Sequence, residues 1–186
     1  APDQLRQRMA WALSQIMVAT YQQSNLKNDP VALAEYYDIL ARDSTGYYDD
    51  SGTYRKGTYP NLLYDVTRST AMGKMLTYLR NMVGDPVLGT YPDENYAREV
   101  MQLFSIGLVL RHPDFSPMYP QGCDPDTDPQ CQPIPTYPQD TVTAYAQLFT
   151  GWSYSNGFRG NPVGANWSTA DYLPMVCYES VHDNIH

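Results

Sequence analysis

Pro92-Asp93-Glu94-Asn95-Tyr96-Ala97-Arg98-Glu99-Val100-Met101-Gln102-Leu103-Phe104-Ser105-Ile106-Gly107-Leu108 reads as one amphipathic helix with its own start and stop. Asp93, after Pro92, stands where an N-cap carboxylate accepts backbone N–H groups, and Glu94 adds negative charge at the positive end of the helix dipole. At 100° per residue, Tyr96, Ala97, Val100, Met101, Leu103, Phe104 and Leu108 share one arc, and Glu94, Asn95, Arg98, Glu99 and Gln102 share the other. Glu94 and Arg98 form an i,i+4 pair in the favourable orientation. Gly107 is placed to end the helix. The polar face is either a solvated surface or the wall of a cleft. In a cleft, its carboxylates can bind a cation or move protons.

Composition sets the outer limits. A chain of 186 residues with 42% hydrophobic and 17% charged residues suits a folded domain with one ordinary core. The net charge of −8 argues against nucleic acid or an anionic membrane as partner. No apolar run is long enough to span a bilayer. Tyrosine stands out, 17 residues against four phenylalanines, and its polar-tipped ring suits half-buried surfaces and contacts with proteins or sugars. Cys123 and Cys131 bracket an acidic, proline-rich loop at a separation a disulfide can close, which implies an oxidising compartment and hence export. Cys177 is left over. The abrupt opening at Ala1-Pro2-Asp3 and the ending at His186 suggest a piece of a longer protein.

Along the chain, helices are expected from Asp3 to about Thr20, with Leu5, Met9, Ala12, Leu13, Ile16 and Met17 on the buried face, and from Pro30, capped by Asp29, to about Arg42. Others are expected over Pro60–Thr67 and Thr70–Met82, and after a capping box of Thr136 with Gln139. The fold class expected is mainly α: a single irregular multi-helix domain over 1–186 with long Pro/Gly/Tyr-rich loops. Its helical core lies in 1–110 and 136–152, its loops in 111–135 and 153–186. No alternating run predicts a sheet.

Leu5 through Ile16, Pro92 through Glu99 and Thr136 through Trp152 together resemble the bacterial DUF1800 family of uncharacterised, mostly exported proteins. Asn61 through Thr67 with Ala71-Met72-Gly73 fits it too, and His182-Asp183 looks like the family's His-Asp motif. Where many members carry Glu-Leu-His-Thr-Leu-Gly, this chain has Gln102-Leu103-Phe104-Ser105-Ile106-Gly107, so any role of that histidine is absent. The resemblance implies a helical exported protein and no particular reaction.

Three constellations could carry function. Glu94, Arg98, Glu99, His182 and Asp183 would form a polar site for a divalent cation or proton transfer if they converge, and a structural knot if they only order the core. Asp124, Asp126 and Asp128 alternate like early calcium-loop ligands, although Pro129 and Pro135 stand where an EF-hand needs glycine and glutamate. Trp152, Tyr154, Phe158, Trp167 and Tyr172 could make a surface for protein subunits or polysaccharide. The expectation is an exported helical binding or assembly module of an envelope or extracellular complex. The alternative is a hydrolase or metal-dependent enzyme using the Glu/Arg/Glu plus His-Asp set.

Overall fold

The structure is a computed structural model that describes residues 3–22, 26–156 and 172–182. Its helices are α1 (Gln4–Ser14), α2 (Pro30–Thr45), α3 (Tyr59–Arg68), α4 (Thr70–Met75), α5 (Asn95–Gln102) and α6 (Gln139–Leu148). Two antiparallel pairs join β1 (Tyr47–Tyr48) to β2 (Tyr54–Arg55) and β3 (Trp152–Ser153) to β4 (Val176–Cys177).

The mainly α expectation is corrected. Helix accounts for about 40% of the structure and strand for 9%, an α/loop mixture. The helices are shorter than their hydrophobic periodicity suggests. α4 stops at Met75 rather than Met82, and Thr77 and Arg80 then take φ of 61° and 67°, which no helix accommodates. The 111–135 excursion is more ordered than its prolines suggest. The Leu110 N–H donates to the Ile134 carbonyl at 2.9 Å, the Met118 N–H to Leu110 at 2.9 Å, and the Ile134 N–H to Met118 at 2.8 Å. Proline removes a donor only at its own position, so the residues between can still pair.

The start signals fared unevenly. Asp29 Oδ1 accepts the Ala32 N–H at 3.1 Å and Pro30 occupies the first turn of α2, as its motif requires. The box of Thr136 with Gln139 does not form: α6 begins after Pro138, whose side chain cannot cap, and Thr136 Oγ1 is buried without a described partner. α1 also departs from expectation. Ala10 is its one buried residue and Met17 is buried just beyond its end, whereas Leu5 is 68% and Ile16 50% exposed. The contact runs along Ala10, Leu13 and Met17, so Leu13 and Met17 of the predicted stripe face the core while Leu5, Met9 and Ile16 do not.

One apolar cluster links all six helices, and tyrosine lies at its centre. The Tyr78 and Tyr96 rings stack with centroids 4.1 Å apart, and Phe149 meets Tyr96 edge-on at 4.7 Å. Both phenols reach α3: Tyr78 donates to the Thr67 carbonyl and Tyr96 lies 2.6 Å from Thr67 Oγ1. That hydroxyl gives its proton to the Leu63 carbonyl at 2.6 Å, so Tyr96 is the donor in the second bond. Tyr36, likewise buried, donates to the Met17 carbonyl at 2.6 Å. Half-buried surfaces therefore account for only part of the tyrosine excess.

Tyr96→Phe should cost about 1 kcal/mol by deleting one buried hydrogen bond, and Tyr96→Ala about 3–5 kcal/mol through the added cavity. Urea unfolding of both variants checks this order. Burial pushes the Tyr96 phenol up to about 12, outweighing its hydrogen bonds, and burial with Tyr96 close by raises Tyr78 as well. Unfolded phenols ionise near pH 10. Above that pH the unfolded chain holds fewer protons than the folded one, so stability is full below about pH 10 and falls as pH rises through the folded values. Alkaline loss of helical circular dichroism should coincide with tyrosinate absorbance. A helical signal that survives complete tyrosine ionisation would contradict it.

Candidate functional site

The polar face of α5 meets α6. Glu94 precedes the first turn and Arg98 lies one turn on. Arg98 Nη2 donates to Glu94 Oε2 at 2.6 Å and to Gln139 Oε1 at 3.0 Å. Gln139 Nε2 donates to Glu94 Oε2 at 3.1 Å, and the Thr143 hydroxyl donates to Glu94 Oε1 at 3.0 Å. Desolvation would raise the Glu94 carboxyl, but the hydrogen bonds from Thr143, Arg98 and Gln139 prevail and hold it below its usual range. A carboxylate so occupied is a poor proton acceptor; it clamps two helices. Asp93 is not the N-cap, which is Glu94; it lies one residue earlier and accepts the Asn95 N–H at 2.8 Å across a turn.

The remaining members of the expected polar site lie elsewhere. Glu99 turns one buried carboxylate oxygen, Oε2, inward with no described partner. His182 sits beyond the other end of α6, its Nδ1 2.9 Å from the Thr150 carbonyl. A carbonyl only accepts, so Nδ1 carries the proton in this bond. Glu94 engages Gln139 and Thr143 in the first half of α6, whereas His182 engages Thr150, past its end at Leu148, and the two share no hydrogen-bond partner among the described residues. Gly151, at φ 80°, lets His182 pack close against this end, since a Cβ there would fall 2.9 Å from the His182 Cβ. Asp183 lies outside the described residues.

The acidic loop is closed by the Cys123–Cys131 disulfide, with Cα atoms 5.6 Å apart. Its aspartates do not gather around a cation: Asp124 Oδ1 accepts the Asp126 N–H at 3.0 Å and Asp128 Oδ1 the Gln130 N–H at 2.9 Å. Those two carboxylates serve their own turns, as Asx side chains do. Among the described residues no group of three His, Cys, Asp or Glu is placed to hold a metal ion. Cys177 is free and half-buried, and burial pushes its thiol up, with Glu179 adding to the effect, so it is a weak nucleophile.

The aromatic surface is divided. Tyr154 is buried, with Lys74 Nζ 5.4 Å and the Arg80 guanidinium 5.1 Å from its ring centre. Lys74 also pairs with Asp29, the cap of α2. Trp152 is half-buried in β3, Tyr172 is exposed, and Phe158 and Trp167 lie outside the described residues.

A second polar constellation was not anticipated. Arg42 on α2 donates through Nε to Asp43 Oδ1 at 2.8 Å and through Nη2 to Asp65 Oδ2, on α3, at 2.7 Å. Its guanidinium lies 4.8 Å from the centre of the Tyr47 ring. Burial, then Asp43 beside it, raises Asp65 despite Arg42. Burial also raises Glu35, two turns back on α2, against the pull of Arg42. Glu35, Arg42 and Asp65 line a pocket between α2, α3 and residues 172–174, holding about 330 Å³ with its open mouth included. Only the i,i+7 spacing of Glu35 and Arg42 could have hinted at it.

Arg42→Met leaves the Asp43 carboxylate, 2% exposed, without its partner, and should cost about 3–5 kcal/mol in urea unfolding. Glu35→Gln should act oppositely near neutrality. Because the folded Glu35 value is raised, its favourable contribution is complete below the unfolded value of 4.5 and is lost as pH rises through the folded one. The variant should therefore gain on wild type as pH increases from 4 to 7; a parallel pair of stability curves would refute this.

Residues 1–184 match the model of a family described as a protein of unknown function, DUF1800. No curated protein and no solved structure matches the chain.

Proposed function

For a chain that belongs to the DUF1800 family, we propose a role in binding: an exported module that docks a protein partner within an envelope or extracellular assembly. The observation that carries this reading is the turn between Asp85 and Thr90. Their backbones pair, with the Asp85 N–H 3.1 Å from the Thr90 carbonyl and the reverse bond at 3.0 Å. Asp85 Oδ1 also accepts the Val87 and Leu88 N–H groups at 2.8 and 3.3 Å. This rigid loop presents Val87 at 92%, Leu88 at 75% and Tyr91 at 80% exposure. Apolar side chains on a turn already ordered lose little entropy on docking, so their burial contributes to affinity almost undiminished. The disulfide is compatible with export, and no helix among the described residues is long and apolar enough to cross a membrane.

The hydrolase or metal-dependent alternative drew on Glu94, Glu99 and His182. With Glu94 and His182 at opposite ends of α6, no observation favours it there.

A photo-crosslinking amino acid at position 88, in the chain expressed with an export signal, should give one adduct of defined mass. The adduct should vanish in Val87→Asp and be missing when the crosslinker replaces Tyr48, which is 73% exposed on β1. Equal crosslinking from positions 88 and 48, or none from 88, would overturn the proposal.

A further inference from the structure

The pocket between α2, α3 and residues 172–174 is lined by both signs of charge. Glu35 and Asp65 supply carboxyl oxygens, while Arg42 and Arg68 supply guanidinium groups. Arg42 is committed to Asp43 and Asp65. Arg68 donates to the Tyr64 hydroxyl at 3.2 Å and has no carboxylate partner among the described residues. Ser69 and Thr70 close the floor at the α3–α4 junction, Ile39, Leu173 and Pro174 give an apolar wall, and Tyr172 is 44% exposed beside them.

This lining discriminates between classes of ligand. A simple cation would be repelled by two guanidinium groups, and a simple anion by Glu35 and Asp65 with Asp38 behind them. A hydroxyl group donates and accepts at once, so adjacent hydroxyls on a neutral ligand can give protons to the carboxyl oxygens and receive them from Arg68. An apolar wall with a tyrosine beside it suits the C–H face of a sugar ring. The space suits an edge of such a ring rather than a chain of them.

We propose that this pocket is a saccharide subsite that takes one edge of a neutral pyranose through a pair of vicinal hydroxyls, with Tyr172 against the ring. It does not depend on the Asp85–Thr90 turn, and either proposal can fail without the other.

The test is titration of the isotopically labelled chain with glucose and N-acetylglucosamine, following amide shifts of Ser69, Thr70 and Leu173. Acetate and methylammonium serve as ionic controls. Saturable shifts with at least one sugar and not with the ions are expected. Tyr172→Ala, at an exposed position, should weaken sugar binding roughly three- to ten-fold with the rest of the spectrum unchanged. Glu35→Gln should weaken it too, whereas Tyr91→Ala, at a residue that is not part of this lining, should leave it as in wild type. No saturable shift with either sugar, equal shifts with either ion, or undiminished binding in Tyr172→Ala would each overturn the assignment.

Discussion

The stack of Tyr78 on Tyr96, closed edge-on by Phe149, is the contact on which the other elements depend. It draws the loop after α4, the first turn of α5 and the end of α6 to a single point, and two phenol hydroxyls fasten that point to Thr67 on α3. Short helices cannot hold themselves together; α4 and α5 are six and eight residues long. Burying three large rings supplies what local hydrogen bonding cannot, and the hydroxyls add direction to an attraction that has none of its own. The clamp of Glu94, Arg98, Gln139 and Thr143 then sets the angle between α5 and α6 from the solvent side.

Much of this was legible in the sequence wherever one short segment carried the whole instruction. Asp29-Pro30 announces α2 because a capping carboxylate and a fixed φ act within one turn. The inward arc of α5 follows the helical period through Tyr96, Ala97, Val100 and Met101. It fails at Leu103 and Leu108, each more than half exposed, because the helix ends at Gln102 and the period no longer applies. Gly107 does take the left-handed backbone, at φ 76°, but only after the chain has already unwound.

What was illegible depends on distance along the chain. Arg42 and Asp65 meet only because α2 and α3 pack together, and neither segment names the other. Composition counted the tyrosines correctly but could not say that Tyr36, Tyr78 and Tyr96 would each find a carbonyl or hydroxyl deep in the core. His182 beside Glu94 was attractive as chemistry. It packs instead against a glycine past the far end of α6, a position whose meaning appears only when β3 and β4 have paired.

The Cys123–Cys131 link closes the outer end of the arm whose base is laced by Leu110, Met118 and Ile134. A protease must draw a stretch of substrate out straight before cutting it. Anchored at the foot and cross-linked at the tip, with prolines between, the arm offers little chain that can be drawn out in this way.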